Sequence, residues 1–241
     1  MEQRWPPGSV FALGPESAPT DLREDNMSTV AAVRMLDLPQ LEAAPLHLEP
    51  FEYLTIGDVL YADSKAAIIE DFPNIDRNGS FPLSTLRPGP AFLQLVDELL
   101  SKEFEIAVGK KFSMDLSQYP TMVTVRGRCS AGSDGHIHPD SKDKVITVLL
   151  YLNPVWESSG GRLRLLRSKN LDDFVAEVPP TMGSLVIFKR CDHSWHGHLP
   201  FEGQRRSLQM NWVKSDRYMR REQLRHQVSS FFKRFTGRNT R

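Results

Sequence analysis

The spacing of apolar residues changes once along this chain, from a helical rhythm to a strand rhythm. Phe92, Leu95, Val96, Leu99 and Leu100 recur three or four residues apart, which predicts a helix from about Pro90 to Lys102 with one buried face. Before it, Ser64 is placed to cap a helix through Glu70, which Phe72-Pro73 ends because the residue before proline is pushed out of the helical region. A short helical or loop segment to Phe112 follows. From Thr121 onward the runs Met122–Val125, Val145–Leu152, Leu163–Leu166, Leu185–Phe188 and Ser207–Val213 are short and β-rich, with Gly, Pro, Asp and Ser turns between them. That regularity predicts a mainly β fold with flanking helices, an antiparallel sandwich or jelly roll whose earlier helices pack on one outer sheet.

The ends of the chain read differently. Residues 1–45 hold Pro6, Pro7, Gly8, Pro15, Pro19, Pro39 and Pro45 among Ala, Ser and Glu, the composition of a disordered leader with a short helical turn near Thr29–Leu36. Met27 is a second candidate start. The folded domain is expected over 46–213. Beyond it, 214–241 is strongly basic, and Leu224, Val228, Phe231 and Phe235 fall on one helical face, which predicts a basic amphipathic helix. Its expected role is docking on its own domain or on a second copy of the chain as a homodimer. Contact with an anionic membrane surface is the less favoured alternative.

Bulk properties narrow the function classes. The 241 residues suit one sizeable domain, and 40% are hydrophobic and 25% charged, as in ordinary soluble proteins. The formal net charge is zero, so the overall field gives no reason to expect a nucleic-acid partner. The two cysteines, Cys129 and Cys191, form neither a disulfide framework nor zinc-knuckle spacing, which points to a reducing cytoplasm.

Chemistry concentrates in two histidine-rich segments. Gly135-His136-Ile137-His138-Pro139-Asp140 contains both His-x-His and His-x-Asp, and residues two apart in an extended chain share a face, so either pair can grip one metal. Ser194-Trp195-His196-Gly197-His198 offers a third ligand on a later strand. Two imidazoles and a carboxylate on one side of a metal form the facial triad suited to non-haem iron, with positions left open. The set His138, Asp140 and His196 is the favoured one. A cupin-type reading of His-x-His lacks the acidic residue it needs, since Ser141 and Lys142 stand there. Arg205 follows His196 by about nine residues and opens a run in which Ser207, Gln209 and Asn211 alternate with Leu208, Met210 and Trp212. A polar strand face beside a metal, headed by a guanidinium fork, is what a carboxylated cosubstrate requires. The same spacing favours His196 over His198.

These pieces together resemble the iron(II)/2-oxoglutarate-dependent oxygenase superfamily in its prolyl-hydroxylase-like branch. The resemblance runs from about Arg126 to Val213 through His138-Pro139-Asp140, the stretch Lys144–Asn153, Trp156 with Gly160-Gly161-Arg162-Leu163, Pro179–Phe188, Ser194-Trp195-His196 and Arg205-Arg206-Ser207. It implies a double-stranded β-helix, with His138, Asp140 and His196 holding iron(II) and Arg205 holding the distal carboxylate of 2-oxoglutarate. By the same resemblance Tyr151 hydrogen-bonds that carboxylate, while Ser207 and Thr147 are expected to line the same pocket. The implied reaction consumes 2-oxoglutarate and dioxygen, with ascorbate supportive, and hydroxylates an unactivated C–H bond. Retention of Asp140 favours hydroxylation over halogenation. The expected prime substrate is a peptidyl or protein side chain or an amino acid. The alternative is a non-catalytic jelly-roll module that binds a peptide or sugar. Trp156 and Trp195 are expected to be packing residues, and Arg162, Arg164 and Arg167 a solvated face.

Overall fold

A computed structural model describes residues 34–215 and Arg217. The helices lie in the first part. They are α1 (Leu38–Ala43), α2 (Lys65–Glu70), α3 (Pro90–Leu99) and α4 (Lys102–Lys111). Strands β1 (Tyr53–Ile56) and β2 (Phe81–Pro82) are interleaved with them. The chain then continues through β3 (Thr121–Cys129), β4 (Lys144–Tyr151), β5 (Leu163–Leu166), β6 (Phe174–Val178), β7 (Leu185–Lys189), β8 (His196–Gly197) and β9 (Gly203–Val213).

Two antiparallel sheets result. The larger has six strands in the order β1-β7-β4-β9-β3-β2, and the smaller has three in the order β6-β5-β8. A bridge between His138 and His196 extends the smaller sheet by one paired position. The long β3, β4 and β9 form the centre of the larger sheet, with Thr147 opposite Asn211, Tyr151 opposite Ser207, and Arg126 opposite Ser207 on the other side. This is the expected mainly β jelly roll.

Alternation decides what each face of the larger sheet does. Ile146, Val148 and Leu150 of β4, Leu208, Met210 and Trp212 of β9, and Leu185 and Ile187 of β7 are buried in one cluster with the helices' Leu41, Ile68, Phe92, Leu95, Phe104 and Val108. The ring of Trp212 stacks on that of Phe104 at 6.3 Å. Each of these large side chains contributes about 1.5–3 kcal/mol on burial. The opposite face of the same strands turns toward the smaller sheet. There Tyr151, Val186 and Phe188 pack with Leu163, Leu165 and Val178. The residues between them, Thr147, Leu149, Ser207 and Gln209, line a cavity.

Several expectations need correcting. The leader does not extend to residue 45: residues 34–45 hold α1, with Met35, Leu36 and Leu41 buried. The helical turn expected near Thr29–Leu36 is not helical over its described part. The helix begins two residues later, where the Asp37 carboxylate accepts from Gln40 N at 3.0 Å and Pro39 stands in the first turn. The Glu98 carboxylate explains the order upstream, since it accepts from the backbone N–H groups of Met35 and Leu36. Ser64 does precede α2, but it makes no side-chain cap there. Its hydroxyl donates to Tyr61 O at 2.8 Å in a short 3₁₀ turn. The single helix expected from Pro90 to Lys102 ends at Leu99, because Ser101 caps a new helix by accepting from Phe104 N. Residues 1–33 and nearly all of the expected basic helix at 214–241 lie outside the described residues.

Candidate metal and cosubstrate site

The two histidines of the site are paired across strands. His138 N donates to His196 O and His196 N donates to His138 O, both at 3.1 Å, so the two side chains leave the sheet on one face. Their ring centroids are 4.5 Å apart. Pro139 supports this pairing locally by disfavouring a helical conformation at His138. Gly197 lets the two segments approach, since a Cβ there would stand 2.8 Å from Gly135 O. Asp140 lies two residues past His138, and one ligand atom from each of His138, Asp140 and His196 falls within 4.8 Å of the others.

Hydrogen bonds orient each of the three. His138 Nδ1 lies 2.8 Å from His136 O, and His196 Nδ1 lies 3.0 Å from Ser194 O. A carbonyl only accepts, so each Nδ1 carries the proton and each Nε2 is left as a bare donor pair for a metal. Burial pushes His196 down to about 4 against the pull of the Asp140 carboxylate, so its ring is neutral near pH 7. Burial alone would push the Asp140 carboxyl up. The Lys144 ammonium, the His196 ring and hydrogen bonds from Lys144 and Thr147 outweigh it and hold Asp140 well below the usual carboxylate range. Lys144 Nζ donates to Asp140 Oδ1 at 2.7 Å, and Thr147 Oγ1 donates to Oδ2 at 2.5 Å.

Arg205 stands elsewhere in the same cavity of about 410 Å³. The residue is 6% exposed. Nε donates to Gly161 O at 2.8 Å, Nη2 donates to the Tyr151 hydroxyl at 3.2 Å, and the cation lies over the Tyr151 ring. Among the described residues no carboxylate pairs with it. Gly161 has a φ of +73° and faces Trp156 and Phe201 so closely that any side chain would collide with them. The tight Gly160-Gly161 turn is therefore what aims a carbonyl at Arg205. A buried cation without an anion is costly. Its position, open to a cavity that His138, Asp140 and His196 also line, fits a carboxylate supplied by a small molecule.

The remaining expected residues fall into place as follows. Tyr151 and Ser207 line the cavity on facing strand positions beside Arg205. Thr147 also lines it, but its hydroxyl is spent on Asp140. His136 contributes its carbonyl to His138. His198 is not among the converging ligand atoms. Its Nδ1 donates to Leu199 O at 2.8 Å, and Nε2 lies 3.8 Å from Cys129 Sγ. Burial and the nearby Arg205 push this imidazole down to about 4 as well, and burial raises the Cys129 thiol to about 11. Trp156 packs on Phe201, and Trp195 lies under Lys169. Arg164 is not a freely solvated arginine: it pairs with Glu177 and Asp172 of its own hairpin. Arg126 lines the cavity and is ion-paired with Asp134.

The sequence pattern marks Gln209 and Asn211 only as part of a polar strand face, and it does not mark Lys144 or Asp134 as site residues. For Lys144 the signal was its i+4 relation to Asp140, and for Gln209 and Asn211 it was the polar alternation along β9. Nothing local distinguishes Asp134 from an ordinary loop aspartate.

Residues 124–214 match the model of the 2OG-Fe(II) oxygenase superfamily, a span that contains every cavity residue named above. Among solved structures, a Pseudomonas putida prolyl-4-hydroxylase is similar at 20% identity, with 74% of this chain and 97% of that chain covered and a TM-score of 0.49. The 2-oxoglutarate complex of a viral collagen prolyl hydroxylase from Paramecium Bursaria Chlorella virus-1 is similar at 18% identity, over 67% of this chain and 94% of that one, with a TM-score of 0.47. HygX from Streptomyces hygroscopicus, with nickel and 2-oxoglutarate bound, is 14% identical over 68% of this chain and 82% of that one, also with a TM-score of 0.47. Likeness at that distance says nothing about this chain's substrate. No curated protein matches the chain. Over residues 124–214, the chain is similar to the 2OG-Fe(II) oxygenase superfamily.

Proposed function

We propose that this protein is an iron(II)- and 2-oxoglutarate-dependent hydroxylase acting on an amino-acid side chain, free or within a polypeptide, in the cytoplasm. The observation that carries the reading is the convergence of His138, Asp140 and His196 in a cavity that also holds the buried, carboxylate-free Arg205. The donor set fits iron(II): two imidazoles presenting Nε2 and one ionised carboxylate occupy one side of a metal and leave the rest open. When bound, iron(II) and 2-oxoglutarate with dioxygen supply the oxidising power for C–H hydroxylation.

The chain's own residues do the rest. His138 and His196 are locked in one tautomer by His136 O and Ser194 O, so they bind without a proton having to leave Nε2. Lys144 and Thr147 keep Asp140 ionised and oriented. Arg205 receives the distal carboxylate through its fork, with Tyr151 stacked beneath it and its hydroxyl within reach of the same anion. Charge supports this division. Asp140 is already neutralised by Lys144, so a divalent cation arriving there is balanced by a dianionic cosubstrate whose far end meets Arg205. Arg126, Asp134 and Gln209 line the same cavity and form a polar wall. Such a wall suits a substrate with hydrogen-bonding groups near its reacting carbon, as amino acids and peptides have.

The test is succinate formation from 2-oxoglutarate by the full-length protein with iron(II) and ascorbate. Wild type is expected to produce succinate, and His196→Ala and Arg205→Ala to lose it. Failure of the wild type to bind 2-oxoglutarate anaerobically, together with absent turnover, would overturn the reading in favour of a jelly-roll binding module.

A further inference from the structure

Three polar side chains on the inner face of the larger sheet connect the cavity to Asp140. Gln209 Nε2 donates to Asn211 Oδ1 at 3.0 Å, Asn211 Nδ2 donates to Thr147 Oγ1 at 2.8 Å, and Thr147 Oγ1 donates to Asp140 Oδ2 at 2.5 Å. Asn211 is fully buried and Thr147 is 1% exposed, while Gln209 lines the cavity. The direction of the chain follows from its inner end. An ionised carboxylate can only accept, so the Thr147 proton points at Asp140. The hydroxyl lone pair must then receive the amide N–H of Asn211. That choice turns Asn211 Oδ1 outward, where only a donor can meet it, so Gln209 presents its NH₂. Gln209 Oε1 is left as the outer terminus, and it takes no partner among the described residues.

We propose that Thr147, Asn211 and Gln209 are a positioning relay that sets the orientation of the Asp140 carboxylate toward its metal, with Gln209 as the end open to the cavity. The proposal rests on the reading of Asp140 as a metal ligand. Burying the Asn211 amide and the Thr147 hydroxyl in the middle of β4 and β9 is unfavourable unless they are hydrogen-bonded. Here their bonds run in one direction only, and that direction ends on an Asp140 oxygen. Lys144 anchors the other oxygen, so the two contacts together restrict rotation of the carboxylate. A relay of this kind tunes affinity and coordination without touching the metal.

The experiment is titration of the metal-free, full-length protein with Co²⁺ alone, followed by calorimetry and by the visible d–d absorption of the bound ion. Thr147→Val, nearly isosteric but unable to donate, is expected to weaken Co²⁺ binding roughly ten- to hundredfold and to shift the d–d band. Thr147→Ser restores the hydroxyl and is expected to recover both. Gln209→Glu, at the cavity edge, cannot donate to Asn211 while ionised and is expected to shift the band in the same direction as Thr147→Val. It also carries the test if Thr147→Val does not fold. Wild-type affinity and spectrum in Thr147→Val would overturn the relay, as would equal losses in the Val and Ser variants. A wild type that binds no Co²⁺ would instead overturn the metal assignment itself.

Discussion

Arg205 shows how one side chain meets opposed demands of stability and binding. The side chain is buried against Tyr151 and a backbone carbonyl, and no carboxylate among the described residues pairs with it. Replacing a buried unpaired charge by an apolar side chain of similar volume is often neutral or stabilising. Arg205→Met is therefore expected to leave the thermal stability of the ligand-free protein unchanged or raised. The same change removes a charge-assisted pair with a carboxylate, a loss of about 1.5–3 kcal/mol, so 2-oxoglutarate affinity should fall by roughly one to two orders of magnitude. Anaerobic 2-oxoglutarate titration beside thermal unfolding reads both quantities. A variant that lost stability and kept its affinity would show that Arg205 is a structural cation. His196 and His198 give the second residue-scale prediction. Each is held near 4 in the fold, mainly by burial, against an ordinary value of 6.5. The unfolded chain therefore takes up protons first. The contribution of each is complete above about pH 6.5 and drains away as pH falls toward about 4, by on the order of 3 kcal/mol. Metal-free wild type should lose melting temperature over that window, and His198→Gln should lose it less steeply. Parallel slopes would mean that His198 is not buried as a neutral imidazole.

Among the elements, the central strands of the larger sheet were legible, while its β1 and β2 and the boundaries of the helices were not. Strict alternation along β4 and β9 separates Val148, Leu150, Leu208 and Met210 from Thr147, Tyr151, Ser207 and Gln209, and the fold keeps that separation. The His-x-Asp and distal His were legible for the same reason, since their neighbours are extended. Edge and short strands carry less pattern. In β6 only Val178 is buried, and β8 is two residues long, so tertiary pairing rather than local preference makes them strands. The order of residues 34–45 was hidden because it depends on Glu98, more than fifty residues away in sequence. That dependence can be tested. Glu98→Ala would strand the buried N–H groups of Met35 and Leu36, at about 1–3 kcal/mol for each unsatisfied group. The expected result is a lower melting temperature, with faster hydrogen exchange at those amides while β4 stays protected. Ser101→Ala, which removes only the cap of α4, should cost about 1 kcal/mol and leave Met35 and Leu36 unaffected. Equal exchange effects from the two variants would show that Glu98 acts through α3 in general and not through these two bonds.

At the level of the whole domain, the site joins the two sheets. His138 and His196 belong to the smaller sheet through their mutual bridge and the pairing of His196 with Leu165. Asp140 is tied to the larger sheet by Lys144 and Thr147 of β4. A metal held by all three would therefore staple one sheet to the other, which the two histidines could not do alone. Binding to the folded state only adds about 2.7 kcal/mol when free metal is a hundred times its Kd, or roughly 5–10 °C in melting temperature for a domain of this size. Any site would give that gain, so its distribution is the discriminating quantity. The short β5 and β8 have little burial of their own outside the joint core, and their local opening should lie well below global unfolding. Zn²⁺, which is redox-inert, should slow hydrogen exchange chiefly at amides of β5, β8 and the His138 bridge, with a smaller change in the centre of β4 and β9. Asp140→Ala would still offer two imidazoles from one sheet. It should lose the protection at β5 and β8 while retaining weak Zn²⁺ binding. Protection that rose evenly through both sheets, or that persisted in Asp140→Ala, would mean that the metal stabilises the fold as a whole and that the two sheets are already locked together without it.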